Sequence, residues 1–386
     1  MSRRIAFVST IPADWGGSEE LWSAAAKDLV NRGFEVDIYK DLRSQHHKKL
    51  LELVGLGSRL MTPNGYQLPV HRRAMNRILP FRFQSRALEL LCRRIVESKP
   101  ELVIISQGWN WDGLPWAQAC QKSGIPYALI SQAANIRGWP CDADIDEVSN
   151  AHLASVGSFH VAKRVLGRTE EMIGQRIPQG EVVRNPYNLS SNEPVPWPSA
   201  DGSLRLACVG RFEFKDKGQD VLIRALGAAK WRERDLRVSF YGAGINKTGM
   251  QRLIDFCGAK GCEIRGHTES IESIWKEHHG LVLPSREEGL PLVVVEAMLC
   301  GRPCIVTDVV GNAELLEEGK TGYICPAPSA QLLDETLERV WINRSSLREM
   351  GMAASQSVRV KVPSDPGAVF ADRLVALMDG VSPMKT

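Results

Sequence analysis

Two hydrophobic patterns alternate along the chain. Ile5–Ser9, Glu35–Tyr39, Leu102–Ser106 and Tyr127–Ser131 are short apolar runs, which predict strands. Between them, from about Glu19 to Asn31, Gln84 to Ser98 and Leu114 to Lys122, the apolar positions take helical spacing. From Asn185 to Ser203 the pattern breaks. Pro186, Pro194, Pro196 and Pro198 stand there among serines, which is linker chemistry. The alternation then restarts. Strands are expected at Leu204–Val209, Arg237–Tyr241, Cys262–Arg265, Gly280–Pro284, Pro303–Thr307 and Tyr323–Cys325, and helices at Gln219–Ala229, Leu292–Cys300 and Ser329–Asn343. A last helix is expected at Ala368–Met378. Strand–helix alternation implies parallel sheets covered by helices, an α/β fold of two doubly wound domains. Ligands of such sheets bind at the carboxyl ends of the strands.

Length agrees, since 386 residues suit about two domains of ~150–200 residues. No apolar run is long enough to span a bilayer, and Met1–Val8 reads as a first strand and not a signal peptide, so the expected location is the cytoplasm. Nine cysteines, an odd number, fit reduced thiols. The close pairs Cys257/Cys262 and Cys300/Cys304 lack further ligands for a zinc spacing, so no metal is expected there. A net charge of +3 is too mild to suggest nucleic acid.

Three motifs carry chemistry. The first is Ser285-Arg-Glu-Glu288-Gly289-Leu290-Pro291-Leu292-Val-Val-Val-Glu296, which follows a strand and opens a helix. Pro291 suits a first helical turn, and backbone N–H groups around Gly289–Leu292 can face an anion with the helix dipole behind them. Glu288 and Glu296 are placed to accept hydrogen bonds from sugar hydroxyls. The second is Gly210-Arg211-Phe-Glu-Phe-Lys-Asp-Lys217-Gly218, after the first strand of the second half. Arg as a fork and Lys as a point charge can hold a diphosphate. The third is Trp15-Gly16-Gly17-Ser18-Glu19, whose glycines allow close backbone approach, while Ser18 or Glu19 fits a helix N-terminus. Gly242-Ala-Gly244 lacks the third glycine of a dinucleotide loop and reads as a tight turn.

Together these motifs resemble the retaining glycosyltransferases of family 4, which have the GT-B fold of two Rossmann-like domains facing a cleft. The block Glu288-Gly-Leu-Pro-Leu…Glu296-Ala-Met…Gly301-Arg-Pro303…Thr307-Asp308…Gly311-Asn-Ala-Glu314…Gly319-Lys-Thr-Gly322 carries most of the likeness. The resemblance implies a first domain over 1–186, a linker over 187–203, a donor domain over 204–364 and a C-terminal helix over 365–386 that packs back on the first domain. It implies that Arg211 and Lys217 bind the diphosphate of a UDP- or GDP-linked sugar, that Glu288 meets the transferred sugar and that Glu296 holds the ribose. Gly16, Gly17, Gly210 and Gly289–Leu292 would approach the donor, and the backbone near Arg265 and Gly266 would pack on its base. The implied reaction retains anomeric configuration and uses no metal or other cofactor. A sugar-nucleotide 2-epimerase, which shares the fold, and a non-catalytic sugar-nucleotide-binding protein are the alternatives.

One position departs from the family. Gln132 stands after the strand Tyr127–Ser131, where many members carry a His; Gln keeps hydrogen bonding but cannot hold a proton. Asp142-Ala-Asp144-Ile-Asp146 resembles a metal-binding Asp-x-Asp but reads as a solvated loop. A carbohydrate-bearing acceptor is expected, gripped by Trp15, Trp109, Trp111 and Trp139, with polar partners at Gln107, Asn110, Asp112, Asn135 and Arg137. From His71 to Lys99 eight basic residues interleave with Ile78, Leu79, Phe81 and Phe83, which suits either a solvated helix whose apolar face is core or peripheral contact with an anionic membrane.

Overall fold

The structure, a computed structural model, describes residues 3–11, 15–40, 47–61, 80–134, 138–199, 201–268 and 270–380; of 80–88 it describes the backbone alone. The chain divides into two compact units, Met1–Pro186 with Asp365–Thr386, and Tyr187–Ser364.

The first unit is a seven-stranded parallel sheet. Its strands are β1 (Arg4–Ser9), β2 (Glu35–Tyr39), β3 (Arg59–Met61), β4 (Leu102–Gln107), β5 (Tyr127–Ser131), β6 (Gly157–His160) and β7 (Gly180–Val182), in the order β3-β2-β1-β4-β5-β6-β7. The strands read as apolar runs because both faces are covered. From β1, Ile5 and Phe7 pack with Trp22 and Leu29 of the helix Glu20–Asn31 and with Phe370 and Leu374 of the helix Pro366–Met378. Ala6 and Val8 face the other way, toward Trp116 and Cys120 of the helix Leu114–Lys122. The C-terminal helix thus belongs to the first unit's core. Gly367 permits its approach: a Cβ there would stand 2.5 Å from Ala24 Cβ.

The second unit has β8 (Leu204–Val209), β9 (Leu236–Tyr241), β10 (Cys262–Gly266), β11 (Gly280–Leu283), β12 (Cys304–Thr307) and β13 (Gly322–Cys325), all parallel, in the order β10-β9-β8-β11-β12-β13. No helix or strand forms over Asn185–Ser199. Arg302 holds that stretch down: its buried guanidinium donates to the carbonyls of Val195 and Pro196 and lies 4.9 Å from the ring centre of Trp197. Where one helix was expected over Gln219–Ala229, there are two, Gln219–Leu226 and Ala229–Glu233, because Ala228 turns extended.

Several elements escape the periodicity. β3 and β7 are three residues each at the sheet edges, and β6 reads Gly-Ser-Phe-His, with buried polar groups where apolar ones mark a strand. The helices Lys48–Gly55, Ile145–Leu153, Lys163–Ile173, Lys247–Cys257, Ile271–Glu277 and Leu347–Lys361 also went unread.

Each sheet reverses its strand order once, between β1 and β4 in the first unit and between β8 and β11 in the second. Those reversals open a crevice at the carboxyl edge, where ligands of open α/β sheets bind.

Candidate functional site

In the second unit the two loops beside the reversal are stapled together. After β8, a one-turn helix Phe214–Lys217 ends at Gly218, which has a φ of 64°. A Cβ on Gly218 would stand 2.1 Å from the Pro284 carbonyl oxygen, so only glycine lets this loop lie on the chain leaving β11. The N–H groups of Arg286 and Glu287 donate to the Asp216 carbonyl. The Arg286 guanidinium forks onto Asp220, with Nη1–Oδ1 at 2.6 Å and Nη2–Oδ2 at 2.8 Å.

Across this staple Lys217 Nζ donates to Glu288 Oε1 at 2.6 Å, and Ser285 Oγ donates to the same oxygen at 2.8 Å. Glu288 is buried and Lys217 nearly so. Arg211 projects from the same loop and is 66% exposed, paired with Glu213 Oε2 at 2.8 Å. The helix Leu292–Leu299 starts immediately beyond. Pro291 sits one residue earlier than expected, at the N-cap in an extended conformation and not in the first turn. The N–H groups of Gly289 and Leu290 have no hydrogen-bond partner among the described residues. Lys217, Arg211 and the helix N-terminus together make a positive site at the reversal, suited to an anion. Glu296, inside that helix and buried, accepts from the Asn188 N–H at 2.9 Å.

Gly210 lies against the Lys217 side chain. Gly242 and Gly244 pack on the backbone of Gly210 and Phe212, where any Cβ would collide, so they serve close packing. Gly266 ends β10 with a φ of 81° and open space around it. The Arg265 side chain pairs with Glu263 at 2.9 Å and lines a polar pocket of about 380 Å³ with Arg205, Arg237 and Lys260. That pocket holds none of Arg211, Lys217, Glu288 or Glu296. In the loop after β12, Val310 has a φ of 36°, a left-handed conformation that a β-branched residue adopts only under strain.

In the first unit the crevice differs. Gly16 is extended, and a Cβ there would meet nothing nearer than Ser18 Oγ at 3.8 Å, so nothing internal demands glycine; Gly17 opens a 3-10 turn beside it. Glu19 stands at the N-cap of the helix Glu20–Asn31, a place it fits, while its side chain makes no cap hydrogen bond. It is fully buried, where Lys40 Nζ reaches its Oε1 at 2.5 Å, Ser9 Oγ donates at 2.9 Å and the Trp22 indole N–H also donates. Lys40 also donates to the Ile11 carbonyl, tying the loop after β1 to the end of β2.

Of the tryptophans, Trp15 stacks on His47 with ring centres 4.2 Å apart and donates to Glu20. Trp111 donates to the Gly138 carbonyl at 2.6 Å and packs on Val148, Ile173 and Ile177. Trp109 and Trp139 are exposed. Asp112 bridges the reversal: Thr10 Oγ1 donates to its Oδ1 at 3.0 Å, and the N–H groups of Gly108 and Trp109 donate to its Oδ2. It keeps solvent contact, yet desolvation among these loops raises its carboxyl to about 6. Gln132 is buried after β5; its Oε1 accepts from Asn185 at 2.8 Å while its Nε2 has no partner among the described residues. Beneath lies a buried relay. His152 Nε2 meets the Asn110 carbonyl, His152 Nδ1 meets Ser158 Oγ, and Ser158 Oγ meets His160 Nε2. Burial lowers His152 to about 4 and His160 well below its ordinary value.

Asn135 and Arg137 lie outside the described residues, as do residues 62–79 and the side chains of 80–88 in the basic segment. Asp142 and Asp146 are exposed, on a turn and in the first turn of the helix Ile145–Leu153. Among the described residues no group of three or more His, Cys, Asp or Glu could hold a metal, and no helix is long and apolar enough to cross a membrane.

Arg211 and Lys217 were legible in one motif and Glu288 in another. The Arg286–Asp220 fork was not, although Arg286 stands between Ser285 and Glu288. A lysine closing the apolar strand β2 was the available signal for the Glu19–Lys40 pair.

Comparisons with known proteins bear on the second unit most directly. Residues 203–343 match the family model for glycosyl transferases group 1. An alpha-D-kanosaminyltransferase of Streptomyces kanamyceticus is 32% identical over 36% of this chain and 37% of its own length. The lipopolysaccharide 1,6-galactosyltransferase of Escherichia coli is 25% identical over 64% of this chain and 67% of its own. The chain spans 15–38% of the length of several other curated relatives. In fold, the chain is similar to Anabaena HepE, crystallised in complex with UDP: the TM-score is 0.73 at 15% identity, over 97% of this chain and 100% of that one. Residues 203–343 are therefore similar to the glycosyl transferases group 1 family, in a chain with the GT-B fold.

Proposed function

We propose that the protein is a glycosyltransferase that moves a sugar from a nucleoside-diphosphate donor, UDP- or GDP-linked, onto a carbohydrate-bearing acceptor. The observation that carries this reading is the Lys217–Glu288 pair at the second unit's reversal, beside Arg211 and the N-terminus of the helix Leu292–Leu299. UDP in the similar HepE structure agrees with it.

Lys217, Arg211 and the helix N-terminus supply positive potential where charge develops as the bond from the anomeric carbon to phosphate breaks. These groups stand in for a metal ion. Glu288 orients Lys217 and takes a hydroxyl of the transferred sugar. The acceptor oxygen attacks the face that the diphosphate leaves, which retains configuration, and its proton passes to the departing phosphate oxygen.

The test is a panel of UDP- and GDP-hexoses, with and without glycoside acceptors, in excess chelator. Acceptor-dependent nucleotide release is expected, with the product anomer matching the donor. No release from any donor would overturn the reading; an isomerised sugar without transfer would mark an epimerase instead.

A further inference from the structure

The first unit's crevice presents two kinds of group that retain capacity for a ligand. Trp109 and Trp139 are 44% and 48% exposed. Of the exposed large apolar side chains described in this unit, they alone stand in loops that leave the carboxyl ends of strands, after β4 and β5. Gly138 links their two loops. It precedes Trp139, its carbonyl is fixed by Trp111 Nε1, and a Cβ on it would touch the Trp109 ring at 3.4 Å. The other two candidate tryptophans are occupied, Trp15 by His47 and Glu20, and Trp111 by Gly138 and a small apolar cluster.

Beside the indoles, Asp112 is held by three neutral donors, the Thr10 hydroxyl and the N–H groups of Gly108 and Trp109. No cation is among these partners. Each carboxylate oxygen retains acceptor capacity.

We infer that this crevice binds the ring of an uncharged sugar, with Trp109 and Trp139 against its C–H surfaces and Asp112 accepting from its hydroxyls. An indole face matches the apolar face of a pyranose, and the carboxylate accepts from hydroxyls at the rim. A lipid or protein partner calls for a contiguous apolar patch, whereas these two indoles stand among polar groups. The lone carboxylate disfavours a sugar acid. As the acceptor site this inference rests on the transfer reading; as a carbohydrate site it stands alone.

The test titrates the full chain with methyl gluco-, galacto- and mannopyranosides and with the matching methyl hexuronides, read by tryptophan fluorescence and calorimetry, with UDP titrated in parallel. At least one neutral glycoside is expected to saturate the signal and the hexuronides are not. Trp109→Ala and Trp139→Ala should each weaken that binding about tenfold, the loss of one aromatic contact. Asp112→Asn should weaken it too, with circular dichroism and UDP affinity unchanged in all three. Equal binding of hexuronides, saturation by no glycoside, or wild-type affinity in all three variants would overturn the inference. UDP binding without glycoside binding overturns this site alone, whereas failure of the wild-type chain to bind UDP overturns the transfer reading.

Discussion

The two crevices share a topology and differ in charge. In the first unit the reversal is bridged by Thr10 and Asp112, a hydroxyl on a carboxylate, under exposed indoles. In the second it is bridged by Lys217 and Glu288, a cation on a carboxylate, beside Arg211 and a helix N-terminus. Parallel sheets reversing once provide the same opening in both. The loops decide what fits: hydroxyls and C–H faces in one, an anion in the other. The contrast also shows how each opening is held. The second unit uses a half-buried fork, Arg286 on Asp220, and a glycine that permits contact. The first uses a buried ion pair, Glu19 with Lys40, and a buried histidine relay.

The largest effect should come from breaking the second crevice's chemistry without its fold. Glu288→Gln removes a negative charge next to the expected diphosphate and keeps the side chain's shape. Sugar transfer should fall by roughly 10²–10³, the scale of losing one preorganised group, while UDP affinity holds or rises. Steady-state kinetics beside calorimetry separates the two quantities; a parallel fall in UDP affinity would mean Glu288 serves binding alone.

Next is the buried pair of the first unit. Lys40→Met takes the cation from Glu19 in a site closed to water, which should cost about 3–5 kcal/mol of stability. Adding Glu19→Gln should recover much of that loss. Denaturant unfolding of the single and double variants measures both, and a double variant no more stable than Lys40→Met would show that the pair is not the unit of stability.

How much of this was legible in the sequence follows from where each signal lies. Glu288, Gly289, Pro291 and Glu296 are near in sequence, so one strand-to-helix passage reveals them together. The linker prolines and the central strands were legible for the same local reason. Lys217 and Glu288 meet across 71 positions, and only the folded sheet brings β8 beside β11. The place of Glu19 before a helix was legible and is its N-cap, but the Lys40 ammonium that its side chain meets at the end of β2 was not. β6 was missed because Ser158 and His160 are buried through hydrogen bonds and not through apolarity. The four tryptophans were equivalent in sequence; the structure separates two with occupied rings or N–H groups from two with exposed faces.

The histidine relay gives the first unit an acid sensitivity. His152 is neutral when folded, its value lowered to about 4 by burial, whereas in the unfolded chain it takes a proton near 6.5. Stability from this group is therefore complete above about 6.5 and is lost as pH falls toward about 4. At pH 5 the loss should be about 2 kcal/mol from His152. Because His152 holds the Asn110 carbonyl between Trp109 and Trp111, tryptophan fluorescence should report it. His152→Gln should flatten the pH slope between 5 and 7; an unchanged slope would place the acid sensitivity elsewhere.

The smallest effect sharpens the second crevice. Val310→Gly relieves a left-handed backbone at a β-branched residue and should stabilise the protein by about 1 kcal/mol despite the added freedom of the unfolded chain. Thermal unfolding measures it, and a destabilised variant would show that Val310 packing outweighs the strain.

The central claim is that the second unit's reversal holds a nucleoside diphosphate through Lys217. Calorimetric titration of the wild-type chain and of Lys217→Ala with UDP and GDP, in chelator, tests it most directly. The account predicts that one of the two nucleotides binds the wild type without metal and binds Lys217→Ala at least about tenfold more weakly, as expected for the loss of one charge-assisted contact. Equal affinity for both proteins, or no binding of either nucleotide to the wild type, would contradict it.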